Sequence, residues 1–231
     1  MKVHGLNKTT LLDYPGHLAA TVFTGGCNFR CPFCHNRDLV LNPEGQPLIP
    51  EEEVFAHLKK RRGILEGVCV TGGEPTLQPD LPDFLRKVKE LGYLVKLDTN
   101  GYRPEVLEGL LEAGLLDYVA MDVKASPGRY GIAAGCPSLE FSKIRESISL
   151  LRQGPVPHEF RTTVVKGLHG KEEFEEIGKL LEGSSVLYLQ AFRESENLIG
   201  EGFGAFSREE MEEMAETAGK YVDRVELRGI E

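Results

Sequence analysis

Three cysteines in one short loop constrain the chemistry and the fold of this chain more than any other feature. Cys27, Cys31 and Cys34 are separated by three residues and then by two. This spacing suits a loop that wraps a 4Fe–4S cube and places one thiolate on each of three irons. The fourth iron then has no protein ligand, and an open coordination position is where a metal site binds a substrate or cofactor.

A structural zinc site and a four-thiolate ferredoxin cluster are the alternatives. Zinc sites usually include a second pair of Cys or His ligands, but Cys69 and Cys136 are isolated and His35 is too near in sequence to complete a tetrahedron. A ferredoxin would need Cys69 or Cys136 as its fourth ligand. A disulfide framework is disfavoured because the chain is large and shows no secretory signal. We therefore expect a three-cysteine cluster with one open iron.

The composition fits a cytosolic enzyme. The chain has 231 residues, 41% hydrophobic and 27% charged, which predicts a single domain over residues 1–231. A net charge of −9 argues against a nucleic-acid partner. No stretch approaches a transmembrane span and no signal pattern is seen, so no membrane partner is expected. Reactive thiols are best kept in a reducing compartment, which favours the cytoplasm.

Short apolar strands alternate with amphipathic helices along the chain. Strands are predicted at residues 19–24, 67–71, 94–99, 118–122, 160–165 and 186–190. Helices are predicted near residues 50–62, 81–91, 104–113, 141–152, 171–181 and 208–221. Alternating units of this kind indicate an α/β fold with a parallel sheet. A flat doubly wound sheet is the alternative, but the polar residues favour a partial (β/α)6 TIM-type barrel with parallel strands.

Polar residues interrupt the apolar pattern at the C-terminal ends of these strands. Gly72, Gly73 and Glu74 follow the second strand. Asp98, Thr99 and Asn100 end the third strand, and Asp122 and Lys124 end the fourth. Arg161 lies along the fifth strand, and Gln190 ends the sixth. In a parallel barrel these ends converge on one opening, where active sites lie. We predict that these residues bind the cofactor beside the cluster.

Several of these residues also have a structural explanation that stays open. Gly72-Gly73 and Asn100-Gly101 are common turn pairs, and Lys124 could neutralise Asp122 in an ordinary ion pair. Glu74 is harder to explain structurally, because a carboxylate beside two glycines lies where backbone can approach a ligand closely.

The CxxxCxxC spacing, with an aromatic residue before the last Cys, resembles the signature of the radical S-adenosylmethionine enzymes. Over nearly its whole length the chain resembles one group of them, the glycyl-radical-enzyme activating enzymes. The matching motifs are Cys-His-Asn-Arg-Asp at 34–38, Gly-Gly-Glu-Pro at 72–75, Asp-Thr-Asn-Gly at 98–101 and Met-Asp-Val-Lys at 121–124. The run Leu-Leu-Asp-Tyr-Pro-Gly at 11–16 is similar to the branch of anaerobic ribonucleoside-triphosphate reductase activating proteins.

The resemblance implies one 4Fe–4S cluster and S-adenosylmethionine in a partial (β/α)6 barrel. Reductive cleavage of the cofactor would give a 5′-deoxyadenosyl radical, which would generate a glycyl radical on a partner enzyme of the ribonucleotide reductase or formate-lyase type. A flavodoxin- or ferredoxin-type protein would donate the electron. No side chain is predicted to be catalytic itself, since the cofactors carry the hard chemistry.

The resemblance also implies roles for individual residues. Phe33 would lie near the adenine, Gly73-Glu74 would hold the methionyl amino group, and Lys124 would lie near the cofactor carboxylate. The set Asp98, Thr99 and Asp122 would resemble a monovalent-cation site. Two other functions stay open: a radical enzyme acting on a small molecule, similar to 7-carboxy-7-deazaguanine synthase, and an iron–sulfur electron carrier.

Overall fold

A computed structural model describes residues 1–230 of the chain. Within this range the strands are β1 (Val3–Thr10), β2 (Ala19–Thr24), β3 (Gly67–Gly72), β4 (Leu94–Thr99), β5 (Tyr118–Asp122), β6 (His158–Val164), β7 (Leu187–Ala191) and β8 (Val225–Arg228). The α-helices are α1 (Arg37–Leu41), α2 (Glu51–Lys60), α3 (Leu81–Glu90), α4 (Pro104–Glu112), α5 (Tyr130–Ala133), α6 (Phe141–Gln153), α7 (Glu173–Leu180) and α8 (Arg208–Ala218).

The described strands form one eight-stranded sheet in the order β1 to β8. β1 is antiparallel to β2, whereas the pairs β2–β3, β3–β4, β6–β7 and β7–β8 are parallel. Helices return the chain between parallel neighbours, as parallel pairing requires. The six predicted strands correspond to β2 through β7, so the prediction of an α/β fold with parallel strands is confirmed.

Two strands were not predicted from the sequence. β1 buries only its first and last residues, and all four residues of β8 are half-buried. Such strands at the ends of a sheet lack the strong apolar pattern that marks an interior strand. The short helices α1 and α5, of five and four residues, were missed because one turn carries no helical periodicity.

The chain divides into two compact units. Unit 1 comprises residues 1–28, 36–120 and 154–157, and unit 2 comprises residues 29–35, 121–153 and 158 onward. The assignment of the chain to a single domain stays a prediction. No helix of the described range is long and apolar enough to cross a membrane.

The core of unit 1 fixes the ends of β3 and β4. α3 buries Leu81, Phe84, Leu85 and Val88, the spacing of one helical face, and it contacts β4. Interior strand residues such as Val95 are fully buried. The polar residues that follow these strands therefore project from a rigid, close-packed support.

The core of unit 2 holds β6 and β7 in the same way. α7 buries Phe174 and Ile177 and contacts α8. α8 begins with a capping box, in which Ser207 and Glu210 satisfy each other's backbone N–H groups. The parallel register pairs Arg161 of β6 with Tyr188 of β7, so the strand ends are aligned.

Candidate functional site

Two glycines at the end of β3 let one loop approach the backbone of another. Gly72 has φ of +118°, and a Cβ there would overlap the backbone of Thr24; a Cβ on Gly73 would overlap the carbonyl oxygen of Gly26. The N–H groups of Gly73 and Glu74 donate to the carbonyl oxygens of Thr24 and Gly26, each at 2.8 Å. Glycine is needed at both positions, because the loop after β3 lies directly against the residues that lead into the cysteine loop.

Glu74 is a buried carboxylate that joins the loops after β3 and β4. Its Oε1 accepts hydrogen bonds from Thr76 Oγ1 at 2.6 Å, Thr76 N–H at 3.2 Å and Thr99 Oγ1 at 2.7 Å. Its Oε2 accepts from the backbone N–H of Asn100 at 2.7 Å. Burial raises the pKa of Glu74, and these hydrogen bonds offset only part of the rise. With four donors and 1% exposure, the carboxylate orients Thr99 and Asn100.

The Asp98 carboxylate is paired with a buried lysine that the sequence pattern did not single out. Lys96 Nζ donates to Asp98 Oδ1 and lies 3.8 Å from the sulfur of Cys69. The Cys69 thiol is also 3.7 Å from Asp98 Oδ1. A charged residue inside an otherwise apolar strand, two positions before an aspartate, is the signal by which Lys96 could have been found.

Asn100 connects the loop after β4 to the first predicted cluster ligand. Its Nδ2 donates to Asn28 Oδ1 at 2.8 Å and lies 3.8 Å from the sulfur of Cys27. Its Oδ1 accepts from the backbone N–H of Tyr102 at 3.0 Å, which fixes the amide orientation. Asn28 is a further residue that the sequence reasoning missed, and no recognisable pattern marks it.

The segment of unit 2 that carries the other two cysteines is held at three points. Arg30 N–H donates to Ala134 O at 2.9 Å, Gly200 N–H donates to Pro32 O at 2.7 Å, and His35 Nε2 donates to Arg193 O at 2.8 Å. This part of the loop is therefore held in place by contacts with other segments of unit 2.

The predicted ligands Cys31 and Cys34 differ in exposure. Cys31 is buried, and burial raises the pKa of its thiol to about 11 although Lys124 acts in the opposite direction. Cys34 is half-buried, and Phe33 between them is 5% exposed. A metal ligand must lose its thiol proton, so Cys31 and Cys34 would bind iron as thiolates.

Asp122 lies between two cations in unit 2. Its Oδ2 accepts from Lys124 Nζ and its Oδ1 accepts from Arg161 Nε, both at 2.9 Å. Burial alone would raise the pKa of Asp122, but the charges of Arg161 and Lys124 outweigh it and hold the pKa at about 2. Burial likewise opposes the charge of Lys124, yet Asp122 raises the pKa of Lys124 above its ordinary value. Two cations and one anion leave this trio with a net positive charge.

His169 contacts the backbone of Lys124, and it was not predicted from the sequence. Its Nδ1 accepts from the backbone N–H of Val165 at 3.0 Å, so Nε2 carries the proton and donates to Lys124 O at 2.8 Å. His169 is 5% exposed, and burial lowers its pKa. The neutral imidazole thus links the end of β6 to the backbone of Lys124.

Gln190 lines a cavity of about 420 Å³ at the C-terminal ends of β6, β7 and β8. Thr163, Arg228 and His35 contribute polar groups to the same cavity. Arg228 is held in place by two hydrogen bonds to Glu159, at 2.9 and 3.0 Å. The cavity is thus a recess within unit 2 to which several polar side chains contribute.

The five cysteines are present as thiols, and in residues 1–230 no group of three or more His, Cys, Asp or Glu side chains could hold a single metal ion. Zinc needs its ligands around one ion, whereas a 4Fe–4S cube spreads its thiolates over separate irons. The donor set of Cys27, Cys31 and Cys34 has the chemistry that such a cluster requires. Its ligation by these three residues stays a prediction.

The predicted site residues fall into two groups, one in each unit. Unit 1 contains Cys27, Gly72, Gly73, Glu74, Asp98, Thr99 and Asn100, and unit 2 contains Cys31, Phe33, Cys34, Asp122, Lys124, Arg161 and Gln190. Within unit 1, hydrogen bonds connect Glu74 with Thr99 and Asn100. Within unit 2, ion pairs connect Asp122 with Lys124 and Arg161. Their roles toward a cofactor stay predictions.

Comparison with known proteins gives relatives of similar length. A candidate glycyl-radical enzyme activating enzyme of Methanocaldococcus jannaschii is 35% identical, over 99% of this chain and 96% of the relative. The pyruvate formate-lyase-activating enzyme of Clostridium pasteurianum is 34% identical over 53% of this chain and 52% of that enzyme.

A solved structure has the same fold. It is a domain of a pyruvate-formate lyase-activating enzyme from Bacteroides vulgatus, with a TM-score of 0.56 and 17% identity, covering 71% of this chain and 99% of that one. This likeness confirms the predicted α/β fold of the partial-barrel type. The radical SAM superfamily model matches residues 21–181. The chain therefore belongs to the radical S-adenosylmethionine superfamily.

Proposed function

We propose that the protein is a glycyl-radical-enzyme activating enzyme, which cleaves S-adenosylmethionine and removes a hydrogen atom from a glycine of a partner enzyme. The observation that carries the proposal is the match to the Methanocaldococcus relative along nearly the whole of both chains. The hydrogen-bonded group around Glu74 in unit 1 and the ion-paired group around Asp122 in unit 2 support it, because each holds oriented polar side chains at the end of a strand.

Cys27, Cys31 and Cys34 would hold one 4Fe–4S cluster and leave one iron for S-adenosylmethionine. When both are bound, they supply reductive cleavage of the sulfonium C–S bond and the hydrogen abstraction that follows. The chain itself binds, orients and shields. Asn100 supports the first of these ligands, since its amide lies 3.8 Å from the sulfur of Cys27.

The loop after β3 would present backbone to the cofactor. The backbone of Thr24 and Gly26 fills the space that side chains at Gly72 and Gly73 would need, so this loop is held against the residues that lead into the cysteine loop, where the methionyl group would bind. Glu74 fixes this loop to Asn100 and would assist in holding the amino group. Phe33 would pack against the adenine and Gln190 would line the cofactor or substrate recess.

The trio of Asp122, Lys124 and Arg161 would bind the carboxylate of the cofactor. Its net positive charge suits a carboxylate, and Lys124 provides the ammonium that can contact it. Arg161 neutralises Asp122 from the other side, which leaves Lys124 Nζ able to serve a second acceptor. His169 holds the Lys124 backbone in register for that contact.

The partner would be a glycyl-radical enzyme acting as a protein substrate, with a flavodoxin- or ferredoxin-type protein as electron donor. We propose that the protein acts with these partners in the cytoplasm and has no nucleic-acid or membrane partner. We also propose that residues 1–231 form one functional domain. The monovalent cation that the resemblance implies at Asp98, Thr99 and Asp122 is not part of this proposal, because Asp98 is already paired with Lys96.

The test is anaerobic incubation of the reconstituted, reduced protein with S-adenosylmethionine and a glycyl-radical enzyme encoded beside it. Electron paramagnetic resonance should record a doublet on the partner that becomes a singlet when its glycines are α-deuterated. Partner protein with the acceptor glycine changed to alanine is the matched control. Cofactor cleavage without a radical on any such partner would instead favour a small-molecule substrate, and no binding of S-adenosylmethionine would favour an electron carrier.

A further inference from the structure

Lys96 is a buried cation whose charge is matched inside the protein. Its side chain is 2% exposed, and its Nζ donates to Asp98 Oδ1 beside the sulfur of Cys69. Transfer of an ammonium group out of water is unfavourable unless a counter-charge compensates for it. The carboxylate of Asp98 supplies that counter-charge.

The pair lies on one face of β4, at the end of the strand. Lys96 and Asp98 are two residues apart, so their side chains leave the same face, and Cys69 is the neighbour of Lys96 across the β3–β4 pairing. Lys96 is buried, whereas Asp98 is 15% exposed. The Lys96 ammonium thus contacts the Asp98 carboxylate from the protein interior, while part of the carboxylate stays exposed.

The side chains expected to bind a monovalent cation are already engaged. Thr99 Oγ1 donates to Glu74 and accepts from Gly101 N–H at 3.1 Å. Asp98 is paired with Lys96, and in unit 2 both oxygens of Asp122 accept from cationic side chains. An alkali-metal ion at Asp98 would lie near the Lys96 ammonium and be repelled by it. These residues do not fit an alkali-metal site.

We infer that the Lys96 ammonium is the built-in cation of this site and takes the place of an alkali-metal ion at Asp98. The protein then binds S-adenosylmethionine without sodium or potassium. Lys96 is a positioning residue, since it acts through Asp98. The part of the inference that concerns S-adenosylmethionine rests on the proposed function. The absence of an alkali-metal site can be measured without S-adenosylmethionine.

The first test uses the wild-type, reconstituted protein. The dissociation constant for S-adenosylmethionine is measured in potassium, sodium and choline salts at one ionic strength of about 100 mM. We expect it to change by less than about twofold among the three salts. A loss of affinity of about tenfold in choline, equivalent to about 1.4 kcal/mol, would overturn the inference.

A second arm detects the cation directly, with thallium(I) nitrate as a potassium probe in chloride-free buffer. Thallium NMR of the wild-type protein should show no saturable broadening that excess potassium reverses. Such broadening at millimolar thallium would overturn the inference. If the protein fails to bind S-adenosylmethionine at all, the proposed function is wrong. The thallium experiment still tests whether the protein has an alkali-metal site.

A variant without the Lys96 ammonium tests whether an alkali-metal ion then binds at Asp98. Lys96→Met is one atom shorter than lysine but keeps most of the apolar side chain, and it removes the ammonium from beside Asp98. This variant should therefore bind thallium, and it should bind S-adenosylmethionine about tenfold more tightly in potassium than in choline. Lys89→Met, which breaks the Lys89–Asp117 pair elsewhere in unit 1, should stay insensitive to the cation. A folded Lys96→Met protein without any cation response would contradict the inference. If that variant does not fold, the two wild-type arms decide.

Discussion

Thr99 Oγ1 donates a hydrogen bond of 2.7 Å to Glu74 Oε1, so a carboxylate after β3 fixes the residue that ends β4. Glu74 Oε2 continues the connection to the backbone of Asn100, whose amide lies near the sulfur of Cys27. The loops after β3 and β4 and the start of the cysteine loop are thus one hydrogen-bonded group in unit 1. A change at Glu74 should be felt by all three segments.

Removal of the Glu74 carboxylate should destabilise the protein. Glu74→Ala leaves buried donors of Thr76, Thr99 and Asn100 without their acceptor, so we expect a loss of about 2–4 kcal/mol in the free energy of unfolding. Urea unfolding measures it. Glu52→Ala, at an exposed position of α2, is the control and should change stability by less than about 0.5 kcal/mol. Equal effects of the two changes would show that the Glu74 network carries no stability.

The Asp122–Arg161 ion pair should be energetically coupled. A double-mutant cycle with Asp122→Asn and Arg161→Gln should give a coupling free energy of about 1–3 kcal/mol, because both side chains are largely buried. The exposed pair Glu175–Lys179 on α7 should give a much smaller coupling, because water screens the two charges. Urea unfolding of the four proteins in each cycle provides both numbers, and additive effects at Asp122 and Arg161 would refute the coupling.

Stability should fall on mild acidification because of His169. Burial lowers the pKa of His169 in the folded protein, so the unfolded chain takes up a proton first as the pH falls below about 6.5. The free energy of unfolding should therefore decrease toward lower pH, with His169 contributing at most about 1.4 kcal/mol per pH unit. His169→Asn should have a shallower dependence in urea unfolding at pH values from 7 downward. Identical slopes would exclude this contribution.

Cluster assembly should depend on three of the five cysteines. Anaerobic reconstitution of the wild type should give about four iron atoms per chain. Cys27→Ala, Cys31→Ala and Cys34→Ala should each lose the cluster, as iron content and visible absorbance report. Cys69→Ala and Cys136→Ala are the matched controls and should retain it; iron loss in either would contradict the three-ligand assignment.

The sequence predicted the elements that bury strong apolar patterns. β2, β4 and β5 were placed with their observed bounds, because each is a buried run that ends at a polar residue. β1 and β8 escaped detection because half-buried strands have no such run. Helix positions were predicted well for the same reason, since α3 and α6 show one clear apolar face.

Of the candidate site, the sequence identified residue types at strand ends but not their partners. The sequence predicts that the Glu74 carboxylate faces a ligand, whereas in the structure it accepts four hydrogen bonds from groups of the protein. Lys96 and His169 were missed because one lies within a strand and the other in a loop without a motif. Contacts between loops, such as that of Glu74 with Thr99, depend on how neighbouring strands pair, which the spacing of residues along one sequence does not reveal.

The central claim is that the protein transfers a glycine hydrogen of its partner to the adenosyl group of S-adenosylmethionine. The most direct measurement is mass spectrometry of the 5′-deoxyadenosine released when the partner carries α-deuterated glycine. The proposed function predicts 5′-deoxyadenosine with one deuterium, in amounts that match the glycyl radical formed. Release of unlabelled 5′-deoxyadenosine in the presence of a fully labelled, activated partner would contradict it.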